Sequence, residues 1–225
     1  MDPHRNLWNR QQQALRSALS SSAKHAKAIE LFLSQHAMVH ASAMSEDGLY
    51  SFDDKLWEGI GDDAARRIPP KGEHSIAWMI WHTARIEDMA MNVLVAGGRQ
   101  VFDDGDWGKR LNVQVRNTGN DMDAEAIARL SAEIDVAALK AYRMAVGRRT
   151  REIVARLTPE ETHQKVSSSR LQQLKEDGSV LESAQWLLDY WSGLTTAGLL
   201  LMPPTRHNFV HLNEAQKVKR KVCKG

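Results

Sequence analysis

The chain has 225 residues, of which 42% are hydrophobic and 26% charged, with a formal net charge of +2 and a single cysteine. This length can bury a sizeable core in one large domain or two small ones, and the balance of apolar and charged residues excludes a disordered chain. The net charge says little about partners, but the only dense basic cluster is the terminal KVKRKVCKG, so nucleic acid is not expected as a partner, and the lone Cys223 excludes an intramolecular disulfide.

Asp2 and Pro3 form a helix start, and an apolar stripe through Leu15, Leu19, Ala23, Ala26, Ile29, Phe32 and Leu33 toward Val39 predicts one long first helix to about residue 43. The opening MDPHRNLWNRQQQ holds no apolar run, so no secretory leader is read there and the cytoplasm is the expected compartment. FDDKLWEGI and DDAARRI each support a short helical turn. Ser75 then caps SIAWMIWHTARIEDMAMNVLVA, a second long helix closed by Gly97 and Gly98, where a left-handed residue is wanted. Residues 99 to 122, with Gly105, Gly108 and Gly119 among several Asp and Asn, predict a long loop.

DAEAIARL is a short helix, and DVAALKAYRMAVGRRTREIVARL is a third long one, with Ala137, Leu139, Tyr142, Val146, Ile153, Val154 and Leu157 on its buried side. Thr158, Pro159 and Glu161 make a capping box, and Asp177-Gly178 a turn. WLLDYWSGLTTAGLLLM is interrupted by Asp189 before it reaches membrane-spanning length, so no membrane is expected as a partner. The last helix reaches about Lys219. Whether it starts at Pro203 or continues TTAGLLL with a kink stays open. The basic end, residues 217–225, reads as cations at a helix C-terminus running into a frayed tail. With no fixed-period repeat and no alternating strand pair, the fold class is all-α. It is a four-helix bundle with additional short helices and a long loop between the second and third long helices, in a single domain over 1–225.

Chemistry concentrates on histidine. His207 and His211 stand four apart on the last helix, so they share a face with β-carbons about 6 Å apart and can reach one point. His82 sits among Trp78, Met79, Trp81, Ile86 and Met89 on the second long helix, and bundle sites are built from inward side chains of facing helices. Together the three imidazoles would leave a position of a divalent metal open, the pattern of a catalytic rather than a structural site. Trp78, Trp81 and Met79 are expected to wall its pocket. His36 and His40 form a second i,i+4 pair, and His40 is a candidate for a fourth ligand or for a group behind the ligands. Arg85, one turn after His82, would orient an anionic substrate or pair with Glu214. Glu214, on the face of His207 and His211, is the candidate general base or orienting carboxylate. H-E-x-x-H, G-x-S-x-G and a phosphate-binding glycine loop are absent.

W-H-x-x-R-I-E-D at 81 to 88 and R-H-N-F-V-H-L-N-E at 206 to 214 resemble the DinB family of metalloenzymes, in a variant group with A-G-L-L-L-M-P before the last helix. The likeness runs from about residue 30 to 216. It implies a four-helix bundle holding a divalent metal, zinc or nickel, through one histidine of the second helix and an H-x-x-x-H pair of the last, which fall on His82, His207 and His211. It further implies a small-molecule substrate and, for the thiol-dependent transferases and isomerases of the family, a low-molecular-weight thiol. The common H-x-x-x-H-R-G-Q ending is here His211-Leu212-Asn213-Glu214. The expected function is a metal-dependent transferase or hydrolase. Its alternative is a non-enzymatic bundle that binds metal structurally or incidentally and acts through a partner; a homodimer is compatible with either.

Overall fold

The computed structural model describes residues 2–45 and 47–223. In chain order the helices are α1 (Pro3–Leu19), α2 (His25–Met38), α3 (Phe52–Trp57), α4 (Asp62–Arg66) and α5 (Ile76–Asp88), which continues as wide π-type turns over Met89–Val95. There follow α6 (Val101–Asp104), α7 (Trp107–Leu111), α8 (Ala124–Glu133), α9 (Val136–Arg156), α10 (Pro159–His163) and α11 (Ser168–Glu176). The last three are α12 (Gln185–Ser192), α13 (Thr196–Leu200) and, after π-type turns over Met202–His207, α14 (Asn208–Val222). Among the described residues the one β feature is an isolated bridge between Lys165 and Thr195, so the architecture is all-α.

The bundle is built around α5, whose residues are buried on every side. α9 and α14 pack against it, α2 against α9, and α1 folds back on α2. The amphipathic patterns explain the arrangement: Leu15 and Leu19 of α1, Phe32 of α2, Met91, Val154 and Leu200 meet in one apolar cluster. Ile80, Trp81, Leu139, Tyr142, Val146 and Leu212 meet in another, and Met89, Leu174, Leu188, Trp191 and Leu199 in a third. Each such side chain contributes about 1.5–3 kcal/mol on burial, so the core does not depend on a metal for its driving force.

Three departures from the sequence reading have local causes. The expected single first helix is two, because Ser20, Ser21 and Ser22 break it: the Ser20 hydroxyl bonds the Ser17 carbonyl at 2.8 Å and Ser21 is extended. The expected loop after Gly98 contains α6 and α7, which bury Phe102, Trp107 and Leu111. The start of the last helix, left open by the sequence, is a disturbed continuation: α13 passes through π-type turns over Met202–His207 into α14. Pro203 and Pro204 have no N–H to give, and the Thr205 hydroxyl bonds the Leu200 carbonyl at 2.9 Å in place of a backbone donor. The basic end is helical through Val222, whose carbonyl accepts from Arg67, instead of fraying from 217; Lys224 and Gly225 lie outside the described residues.

One stretch of α5 is unusual for a buried helix. His82, Thr83, Arg85, Glu87 and Asp88 are all at most 4% exposed, and polar groups so buried must find partners. Their partners define the functional region.

Candidate metal centre

His82 comes from α5, His207 from the π-type turns that lead into α14, and His211 from the first turn of α14 itself. The helix crossing brings their rings together: centroids lie 5.1 Å apart for His82 and His207, 5.3 Å for His82 and His211, and 4.5 Å for His207 and His211. One ring nitrogen from each lies within 4.8 Å of the other two.

Each ring is held. The His82 Nδ1–H donates to the Thr118 carbonyl at 2.7 Å, which leaves Nε2 as the unprotonated nitrogen facing the cluster, and Trp78 stacks on the ring at 5.0 Å and 7°. Thr118 is brought there by a tight turn at Gly119, where φ is +78° and a β-carbon would stand 2.6 Å from the Trp81 ring. His211 Nδ1 lies 2.9 Å from Glu214 Oε2, close enough for an ion pair but off the line of a hydrogen bond. His207 Nδ1 is buried without any partner.

Burial sets the charge of all three. It pushes His82 down to about 3, against the bond to Thr118, and holds His207 well below the usual imidazole range, with His82 and His211 adding to the effect. His211 is lowered as well, by burial first, with Glu214 opposing. Three neutral imidazoles with converging nitrogens, two of them bearing a buried Nδ1 without a hydrogen-bond partner, fit the donor set of a divalent metal of the zinc class.

A pocket of about 140 Å³ opens against His82 and His207. Its walls are not the expected Trp78, Trp81 and Met79, which are turned into the core, but Ile86, Trp186, Leu187, Tyr190, Trp191, Met202 and Pro203, with Asn120 supplying an amide. Trp186 and Tyr190 are 55% and 46% exposed, so the aromatic rim faces solvent.

Two candidates lie elsewhere. Arg85 does not face the cluster or Glu214: its guanidinium is fully buried and donates to Asp88, Tyr142, Gln100 and the Arg116 carbonyl, which uses all five N–H groups. It is a structural cation, and no donor remains for a substrate. His40 is not a fourth ligand, because its Nε2 is bound to Glu87 Oε2 at 3.0 Å in a separate group with His36. It reaches the three-histidine site indirectly, since Glu87 also accepts from Asn208, the residue after His207, at 2.6 Å.

Thr118, Glu87, Asn208 and the rim residues Trp186 and Tyr190 were not singled out by the sequence. Glu87 had one legible signal, a carboxylate in the short polar stretch from His82 to Asp88 of a helix whose first two turns are apolar. Thr118 acts through its carbonyl and had none.

Comparison with known proteins places the chain in a family. A search against curated proteins finds no match to the chain. The DinB superfamily profile matches residues 54–190, which takes in His82, Thr118 and the aromatic rim and stops before His207. With more than half of its length matched, the chain belongs to the DinB superfamily.

Proposed function

We propose that the protein is a divalent-metal-dependent enzyme whose ion is held by His82, His207 and His211 and whose substrate is a small apolar molecule entering past Trp186 and Tyr190. The observation that carries this reading is the pocket itself: converging, neutral imidazoles border a cavity open to solvent, whereas a structural site would be closed. A metal with a free position supplies Lewis-acid polarisation of a substrate oxygen, or lowers the pKa of a water or thiol.

The chain's own residues then do the rest. Leu187, Trp191, Met202 and Pro203 exclude water around the apolar part of the substrate, and Asn120 can hydrogen-bond its polar end. Glu214, half-exposed with Oε2 2.9 Å from His211 Nδ1, can turn to accept that ring's N–H once metal is bound and can take a proton from an incoming nucleophile. The nucleophile is external, a water or a low-molecular-weight thiol, because Cys223 is exposed at the far end of α14. Zinc and nickel both suit three imidazoles.

The test is a survey of thiol-conjugation and ester- or amide-hydrolysis substrates with the metal-loaded protein. Turnover should disappear in His211→Ala and persist in Cys223→Ser, and a requirement for added thiol separates transferase from hydrolase. Turnover that survives both metal removal and His211→Ala would refute the proposal.

A further inference from the structure

His36, His40 and Glu87 lie in the bundle interior, apart from the three-histidine group, and none is more than 1% exposed. His36, in the last turn of α2, and His40, two residues past its end, both reach Glu87 on α5. His36 Nε2 is 2.9 Å from Glu87 Oε1 and His40 Nε2 is 3.0 Å from Glu87 Oε2, with one potential ligand atom of each residue within 4.8 Å of the others. From these positions we propose that His36, His40 and Glu87 form a second divalent-metal site, closed to solvent, that ties the long helices together.

Three physical arguments support it. Ligands each about 2 Å from one ion stand about 3 Å apart when the angle between them is near 90–110°, which is the nitrogen-to-oxygen spacing found here. The carboxylate is also already oriented as a metal-ligating carboxylate is, through its remaining lone pairs: Thr150 on α9 donates to Oε1 at 2.8 Å and Asn208 on α14 to Oε2 at 2.6 Å. Finally, the cluster holds a buried carboxylate to which no arginine or lysine among the described residues is bonded. The nearby Arg143 donates instead to Asp53 at 2.9 Å, to Thr83, to the Asn208 side-chain carbonyl and to the Val39 carbonyl. A buried charge without a counter-charge is costly, and a divalent ion bound by two neutral imidazoles and this carboxylate supplies one. Without metal each Nε2–H donates to Glu87, and because Nδ1 of both histidines has no hydrogen-bond partner among the described residues, the ring proton can move there when Nε2 takes the metal. The site uses two histidines and a carboxylate, a set suited to zinc, and a bidentate Glu87 would complete four-coordination.

The competing arrangement is a metal-free network in which Glu87 is balanced by a proton on one of the two rings. Metal-stripped full-length His207→Ala/His211→Ala protein, which lacks two ligands of the open site, separates the two. Titrated with zinc, it should bind one equivalent and shift the ring nitrogen NMR resonances of His36 and His40. Glu87→Gln in the same background, which keeps the side chain's size and an acceptor oxygen, should weaken that binding at least tenfold. The same two ring resonances should move when zinc is added to the unmutated protein, so the test holds even if a variant does not fold. Absence of zinc binding in the folded double variant, or binding that leaves the His36 and His40 resonances in place, would overturn the proposal. So would affinity unchanged by Glu87→Gln in a folded protein.

Discussion

Burial, acting on single residues, keeps the interior histidines neutral and gives the fold an expected sensitivity to acid. His82 and His40 are each pushed from 6.5 down to about 3, chiefly by burial. Between those values the unfolded chain takes up protons that the folded chain refuses, so the stability present above 6.5 is lost as the pH falls toward 3. Thermal unfolding of metal-free protein should therefore show a midpoint that drops steeply from about pH 6.5 to about pH 4.5. A level midpoint across that interval would mean that these rings protonate freely in the folded state. Arg85 is expected to matter for stability alone. Arg85→Ala strips a buried cation from Asp88 and Tyr142 and should cost about 3–5 kcal/mol in urea unfolding, the usual penalty for orphaning a buried partner. The sequence displayed the i,i+4 histidines and their apolar partner helix, because spacing on a helix translates directly into a shared face. It could not display where Arg85 points, because one turn of helix separates a site-facing residue from one whose fork closes on Tyr142 and Gln100.

Among the structural elements, the short connections do more for the site than their lengths suggest. The turn at residues 117–120 carries the Thr118 carbonyl that fixes His82, and the turn fits only because Gly119 has no β-carbon to meet Trp81. Gly119→Ala should displace that carbonyl and weaken zinc binding by about 10–100-fold, the range for loss of a ligand's outer partner. Competition with a chromophoric chelator measures the affinity, and unchanged affinity in the folded variant would show that the Thr118 bond is dispensable. α12 is the other such element. Trp186→Ala should raise KM for an apolar substrate with little change in kcat, since it removes rim surface and no metal partner. The long helices were legible from periodicity, and the cap at Ser75 and the capping box at Thr158 occur as their residues predict. The break at Ser20–Ser22 was not, because the apolar stripe continues through it and the serine-to-backbone competition leaves the period intact. Nor were the π-type turns before α14: prolines announce a disturbance, but the compensating bond from Thr205 to Leu200 is visible only in three dimensions.

For the whole molecule, three apolar clusters meet along α5 and the π-type turns that continue it, so the fold is expected to form without metal, and the polar groups of α5 include His82 and Glu87, which the proposals assign to metal. Chelation should lower the thermal midpoint, because an ion that binds only the folded state stabilises it by mass action, yet leave the helical circular dichroism largely intact. Loss of most helical signal on chelation would instead make the ion part of the folding core. No described helix is long and apolar enough to cross a membrane. The central claim is that His82, His207 and His211 hold one ion at the mouth of the apolar pocket. An anomalous-difference map from crystals of the zinc-loaded protein, recorded on either side of the zinc absorption edge, tests it most directly. The predicted result is a zinc peak enclosed by these three rings and exposed on the side of Trp186 and Tyr190. A map from fully loaded crystals with no peak among the three imidazoles would contradict it.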